Sequence, residues 1–70
     1  MEKIVGSFVS SDGRWRVLAV REGARAWYRI LRDGTTFADG LMRGEAERVL
    51  RTDARLHLAD LTEEPGPAAG

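Results

Sequence analysis

Arg14 and Arg16, then Arg25, Trp27 and Arg29, alternate along two stretches of the chain, and theirs are the residue types with the clearest bearing on chemistry. Guanidinium groups neutralise phosphates, and an exposed indole gives a base a flat surface to stack on, worth about 1–3 kcal/mol per base. Arginine can also pair with guanine in a duplex groove, whereas adenine readout by Asn or Gln is excluded because the chain has neither. Other chemistries lack their parts. His57 is the one histidine, and Ser7, Ser10 and Ser11 sit outside any Gly-x-Ser-x-Gly context, so a nucleophile, base and orienting carboxylate do not assemble. With no cysteine there is no thiolate zinc site, and the carboxylates show no ligand-loop spacing. The glycines follow no phosphate-loop or dinucleotide pattern. The expectation is a protein that is not an enzyme and holds no metal or cofactor.

Charge along the chain sharpens the arginine signal. The net charge is zero, from 11 basic and 11 acidic residues. Yet residues 1 to 43 carry a net +3 and residues 44 to 70 a net −3, and between Arg14 and Arg32 six arginines face only Glu22. A zero total tilts against strong nonspecific duplex binding. The acidic end of the chain, folded back, would weaken anion binding on the basic part further. No apolar run approaches the roughly 20 residues of a membrane span, and the first residues hold no apolar signal core, so a cytoplasmic protein without membrane contact is expected.

Turn chemistry supplies the framework that carries these side chains. Asp12-Gly13, Glu22-Gly23 and Asp33-Gly34 recur about ten residues apart between segments rich in Val, Ile, Phe, Trp and Tyr. Acidic-glycine pairs favour two-residue hairpins because the turn positions need positive φ. The spacing predicts a four-stranded antiparallel meander with strands near 3 to 10, 15 to 21, 24 to 32 and 35 to 39. Those turns set Ala19 opposite Ala26, Val17 opposite Tyr28, and Ile30 opposite Phe37. One face then collects Ile4, Gly6, Phe8, Trp15, Val17, Ala19, Ala26, Tyr28, Ile30 and Phe37, none of them charged.

The opposite face carries the arginines, with Arg16 directly across from Arg29, an arrangement that costs stability unless an anion relieves it. It also carries an apolar stripe of Val5, Val9, Leu18, Val20 and Leu31 around Trp27, larger than the scattered singles of an ordinary surface. Beyond Gly40 the period becomes helical, with Met42, Ala46, Val49 and Leu50 on one side, predicting a helix over 43 to 53 that covers the uncharged face. Glu47 and Arg51 form an i,i+4 pair on it. Leu56 and Leu58 alternate around His57 as in a short strand, the favoured reading, while Leu58 and Leu61 suit a helical turn. Residues 63 to 70 are acidic and then rich in Pro and Gly, as in a flexible tail. The fold expected is α+β: a four-stranded meander on one helix, with a short C-terminal strand or turn, forming one domain over residues 1 to 62.

Four antiparallel strands followed by one helix resemble the whirly-type single-strand-binding coactivator folds, which act as dimers. The hairpin Gly13-Arg14-Trp15-Arg16-Val17, with a later helix opening Glu45-Ala46-Glu47, is similar to the amino-terminal arm-binding domains of phage-type integrases. These resemblances imply a fold and a nucleic-acid role, and no binding residue is transferred from them. The favoured expectation is a binding module for single-stranded or duplex nucleic acid through Arg14, Arg16, Arg25, Trp27 and Arg29. The alternative is a homodimer, or a complex with an acidic protein partner, formed on the same face with Val5, Val9, Leu18, Val20 and Leu31.

Overall fold

The computed structural model describes residues 1–65. Strands β1 (Lys3–Val9), β2 (Trp15–Glu22), β3 (Arg25–Arg32) and β4 (Thr35–Leu41) are followed by helix α1 (Arg43–Val49). The helix runs into a π turn at Leu50–Ala54, then come a 3-10 turn at Leu58–Asp60 and a short strand, β5 (Thr62–Glu63). The five strands form one antiparallel sheet in the order β4-β3-β2-β1-β5. This is the small α+β fold expected, with a fifth strand added at the β1 edge.

The strands pair in the expected order, but the details of register differ. Asp33 and Gly34 have φ of 51° and 82°, the double positive pair that a two-residue turn with native twist requires. The β2–β3 turn, in contrast, is Gly23-Ala24, flanked by the Glu22↔Arg25 pair. Gly23 takes φ of 60° at the first turn position, which spares Glu22 a left-handed conformation. The register therefore moves by two residues: Ala19 opposes Tyr28, Val17 opposes Ile30, and Arg16 opposes Leu31 in place of Arg29. A shift of two leaves every side chain on its expected face. Between β1 and β2 the loop is longer than the Asp12-Gly13 pair. The Ser10 hydroxyl accepts from the Trp15 amide (3.0 Å) and donates to Asp12 (2.6 Å), whose carboxylate also accepts from the Arg14 amide (3.0 Å).

Bulges overturn the parity locally. Gly6 pairs with Ala19 as read, but Ile4 pairs with Val20 across an irregularity at Val5. Ile4 thus moves to the arginine face, and Val5 joins Ala19 and Tyr28 on the helix side. In β4, Ile30 opposes Ala38, so Phe37 is the bulged residue and Ala38 turns to the core. Phe37 reaches the core only at its rim, edge-on to Trp15 with centroids 5.2 Å apart. A second irregularity lies at Asp39-Gly40, where Gly40 has φ of 67°. An extra residue in an edge strand bends it and breaks its pairing, which also protects that edge.

The core lies between the helix and one half of the sheet. Trp15, Val17, Ile30, Ala46, Leu50 and Leu61 are buried there, with Phe8, Tyr28, Leu41, Val49, Leu56 and Leu58 packed around them. The helix starts at Met42 without a side-chain cap, and Glu45 instead reaches back to accept from the Met42 amide at 2.8 Å. Glu47 pairs with Arg43 at 3.7 Å rather than with Arg51. The helical run ends where Arg55 adopts φ of 57° and its amide bonds to the Leu50 carbonyl. Residues 55 to 61 are not a strand. That reversal is followed by a turn in which Asp60 accepts from the His57 amide (2.8 Å), and it delivers Leu61 to the core. Glu63 and Glu64 belong to the folded unit through β5 and a bond from the Glu64 amide to the Ser7 carbonyl (2.8 Å). Residues 66 to 70 of the expected tail lie outside the described residues.

Candidate interaction surface

The arginine face is neutralised from within. Arg16 makes two bonds to Glu64, at 2.8 and 3.0 Å, and the Ser7 hydroxyl donates to the same carboxylate. Arg29 lies among Glu2 (2.9 and 3.0 Å) and Asp39 (3.0 Å), its side chain only 17% exposed. Arg14 pairs with Asp33 at 3.3 and 3.4 Å. The Arg29 guanidinium holds the Asp39 carboxyl below the usual carboxylate range, helped by the Gly40 amide and the Trp27 indole. Arg16, then Ser7, does the same for Glu64. Arginine pKa values move upward in turn, through hydrogen bonds from Arg14 to Asp33, from Arg16 to Glu64 and from Arg29 to Asp39.

Trp27 donates its indole N–H to Asp39 (3.0 Å), and the guanidinium of Arg25 stands 5.6 Å from its ring centroid. Arg14, Arg16 and Arg29 are therefore paired cations, whereas Arg25 stays exposed beside Trp27 without an ion pair among the described residues. The Arg16/Arg29 opposition from which the anion expectation began is replaced by Arg16↔Leu31 and Leu18↔Arg29. The apolar stripe is also largely covered. Val20 is 1% exposed, and Val9, Leu18 and Leu31 are half-buried. Only Val5 of that set is open, at 55%, and the bulge has carried it to the other face. Sequence reasoning missed the carboxylates of Glu2 and Asp39, while Glu64 belongs to the acidic end expected to fold back. Asp39-Gly40, a fourth acidic-glycine dipeptide, is the signal for the bulge that aims Asp39 at Arg29.

A different surface remains open. The helix covers the end of its sheet face nearest Trp15 and Ile30, and the far end keeps a trough of about 280 Å³. Its floor is built from the small side chains of Ala19 and Ala26, with Gly6 beside Ala19. Val5, Tyr28, Leu41 and Met42 flank it, Val20 and Trp27 from the arginine face also reach it, and Arg21 and Arg43 stand at its margin. Val5 and Met42 are 55% and 58% exposed, although both are large apolar side chains. The clue in the sequence was the run of small residues Gly6, Ala19 and Ala26 on the face assigned to the core, where a helix would need larger partners.

Among the described residues, no group of three or more His, Asp or Glu side chains stands close enough to hold a metal ion, and no helix is long and apolar enough to cross a membrane. The chain has no significant match among family models, curated proteins or solved structures.

Proposed function

We propose that the chain is a small non-enzymatic binding module that takes a protein segment in the trough between Val5 and Met42. The carrying observation is the exposure of those two side chains on either side of an alanine floor, on the sheet face that elsewhere forms the core. A monomer gains nothing by leaving such side chains in water, and a partner that covers them recovers about 25 cal/mol for each Å² of apolar surface. What supports a protein ligand over a nucleic acid is the internal pairing of Arg14, Arg16 and Arg29 with Asp33, Glu64, Glu2 and Asp39. A phosphate backbone would have to displace those carboxylates to gain the same contacts.

Site-specific photo-crosslinking tests this. A photoreactive residue at position 5 or 42 is expected to yield a discrete protein adduct in cells. One at position 55, at the other end of the helix, yields none, and Ala26→Glu, which fills the trough from an exposed position, abolishes the adducts. Equal labelling from all three positions refutes the proposal. So does oligonucleotide binding at low salt that Arg25→Ala and Trp27→Ala remove while Ala26→Glu leaves it intact.

A further inference from the structure

We infer that the trough accepts an acidic segment anchored by one or two apolar side chains, an assignment that rests on the protein-binding reading above and adds the chemistry of the partner. Three observations carry it. The first is size: about 280 Å³ over an alanine floor suits isolated anchoring side chains, not the broad contact of two folded surfaces.

The second is where the unpaired cations lie. On the opposite face Arg14, Arg16 and Arg29 all have carboxylate oxygens within 3.4 Å, while Arg25, over Trp27, has no ion pair among the described residues. Around the trough the pattern reverses. Lys3 sits directly across from Arg21, and neither makes an ion pair among the described residues. Like charges directly opposed on neighbouring strands destabilise the pair, and an acidic ligand reverses that cost. Arg21 and Arg43 both line the trough, no carboxylate does, and Arg43 has only the 3.7 Å contact to Glu47. The Lys3 and Arg21 end of the trough is thus left positive among the described residues.

The third concerns the alternative occupants. A second copy joined through a two-fold axis centred on the Lys3 and Arg21 end of the trough would set those cations near their own equivalents, which like-charge repulsion disfavours. A nucleic acid would gain from the cations but would bury the aliphatic walls of Val5, Leu41 and Met42 against a charged backbone.

The test uses the full chain labelled with nitrogen-15 and synthetic peptides of about 12 residues. One carries a Leu-Phe anchor flanked by Glu, the second the same anchor flanked by Lys, and the third Glu flanks with the anchor changed to Ser. The acidic anchored peptide is expected to move the amide signals of Val5, Ala19 and Ala26, and its Kd should rise about five-fold or more in the Lys3→Glu/Arg21→Glu variant. In that variant, whose substituted positions are exposed and whose fold is checked by circular dichroism, the lysine-flanked peptide should become the better ligand. Equal affinity for both anchored peptides overturns the acidic assignment and leaves the protein-binding reading standing. Failure of all three peptides to move the trough signals, while the crosslinks from positions 5 and 42 persist, overturns the assignment alone. A doubled mass in sedimentation that Ala26→Glu abolishes, or an oligonucleotide that moves the same signals at lower concentration, also overturns it.

Discussion

Leu50→Ala probes how the thin core holds the helix, and with it the Met42 wall of the trough, in place. Leu50 is fully buried and packs in the cluster with Trp15, Val17, Ile30, Ala46 and Leu61. Its helical neighbour in that cluster, Ala46, contributes only a methyl group, so Leu50 is the one large side chain of the helix that is fully buried. Truncating a buried leucine removes its transfer free energy and leaves a cavity, a loss of about 3–5 kcal/mol where the surroundings relax little. A domain of this size has a total stability of about 4–10 kcal/mol. The substitution should therefore remove from about a third to all of it. Urea unfolding followed by tryptophan fluorescence and far-ultraviolet circular dichroism measures the change, and with a slope of about 1 kcal/mol per molar the midpoint should fall by about 3–5 M. Arg51→Ala, exposed on the same helical run, should stay within about 0.5 kcal/mol of the parent chain. A Leu50→Ala loss below about 1 kcal/mol, or equal to that of Arg51→Ala, would refute the claim that helix docking rests on this side chain.

Other consequences are equally open to measurement. Ser10→Ala leaves the buried Trp15 amide without its acceptor and should cost about 1–3 kcal/mol in denaturant unfolding, while Ser11→Ala, at an exposed position, should be close to neutral. Gly40→Ala meets no atom within 4 Å of the new Cβ but must hold φ of 67°, so strain alone should cost about 1–2 kcal/mol; an unchanged melting temperature would show that the bulge is not held. Asp39 and Glu64 have folded pKa values below their ordinary 3.8 and 4.5, so the stability they supply is complete above those values and is lost as pH falls through the lower folded ones. Melting temperature should accordingly drop below about pH 4, and Glu64→Gln should flatten part of that drop. An identical acid limb in the variant would mean that the Arg16 pairing contributes nothing in solution.

The arginine face illustrates how far composition can mislead about a surface. Six arginines between Arg14 and Arg32 with one intervening glutamate suggest a field for anions. The carboxylates that answer Arg14, Arg16 and Arg29 come from Asp33, Glu64, Glu2 and Asp39, all outside that stretch. Glu64 is the contact that the idea of a folded-back acidic end called for, since it lies on Arg16 and also takes the Ser7 hydroxyl. Its carboxylate and the adjoining strand β5 close over the β1 edge near Phe8 and Val9, so the end of the described chain completes the sheet.

Local chemistry alone determined the four strands, the sorting of Trp15, Val17, Tyr28 and Ile30 to one side, and the helix that covers them. These depend on glycine at positive φ and on side-chain period, both written in neighbouring residues. The two-residue change of register at Gly23-Ala24 did not disturb that sorting, because strand faces repeat every two residues. Tertiary structure decided what no local pattern encodes: the bulges that exchange Ile4 with Val5 and carry Asp39 to Arg29, and the return of Glu64 across most of the chain to Arg16. A single extra residue turns over the neighbouring side chains of its strand at little local cost, and an ion pair between distant residues forms only once the sheet has set their spacing. The trough arises in the same way, from a helix shorter than the face it covers and from cations left without a neighbouring carboxylate.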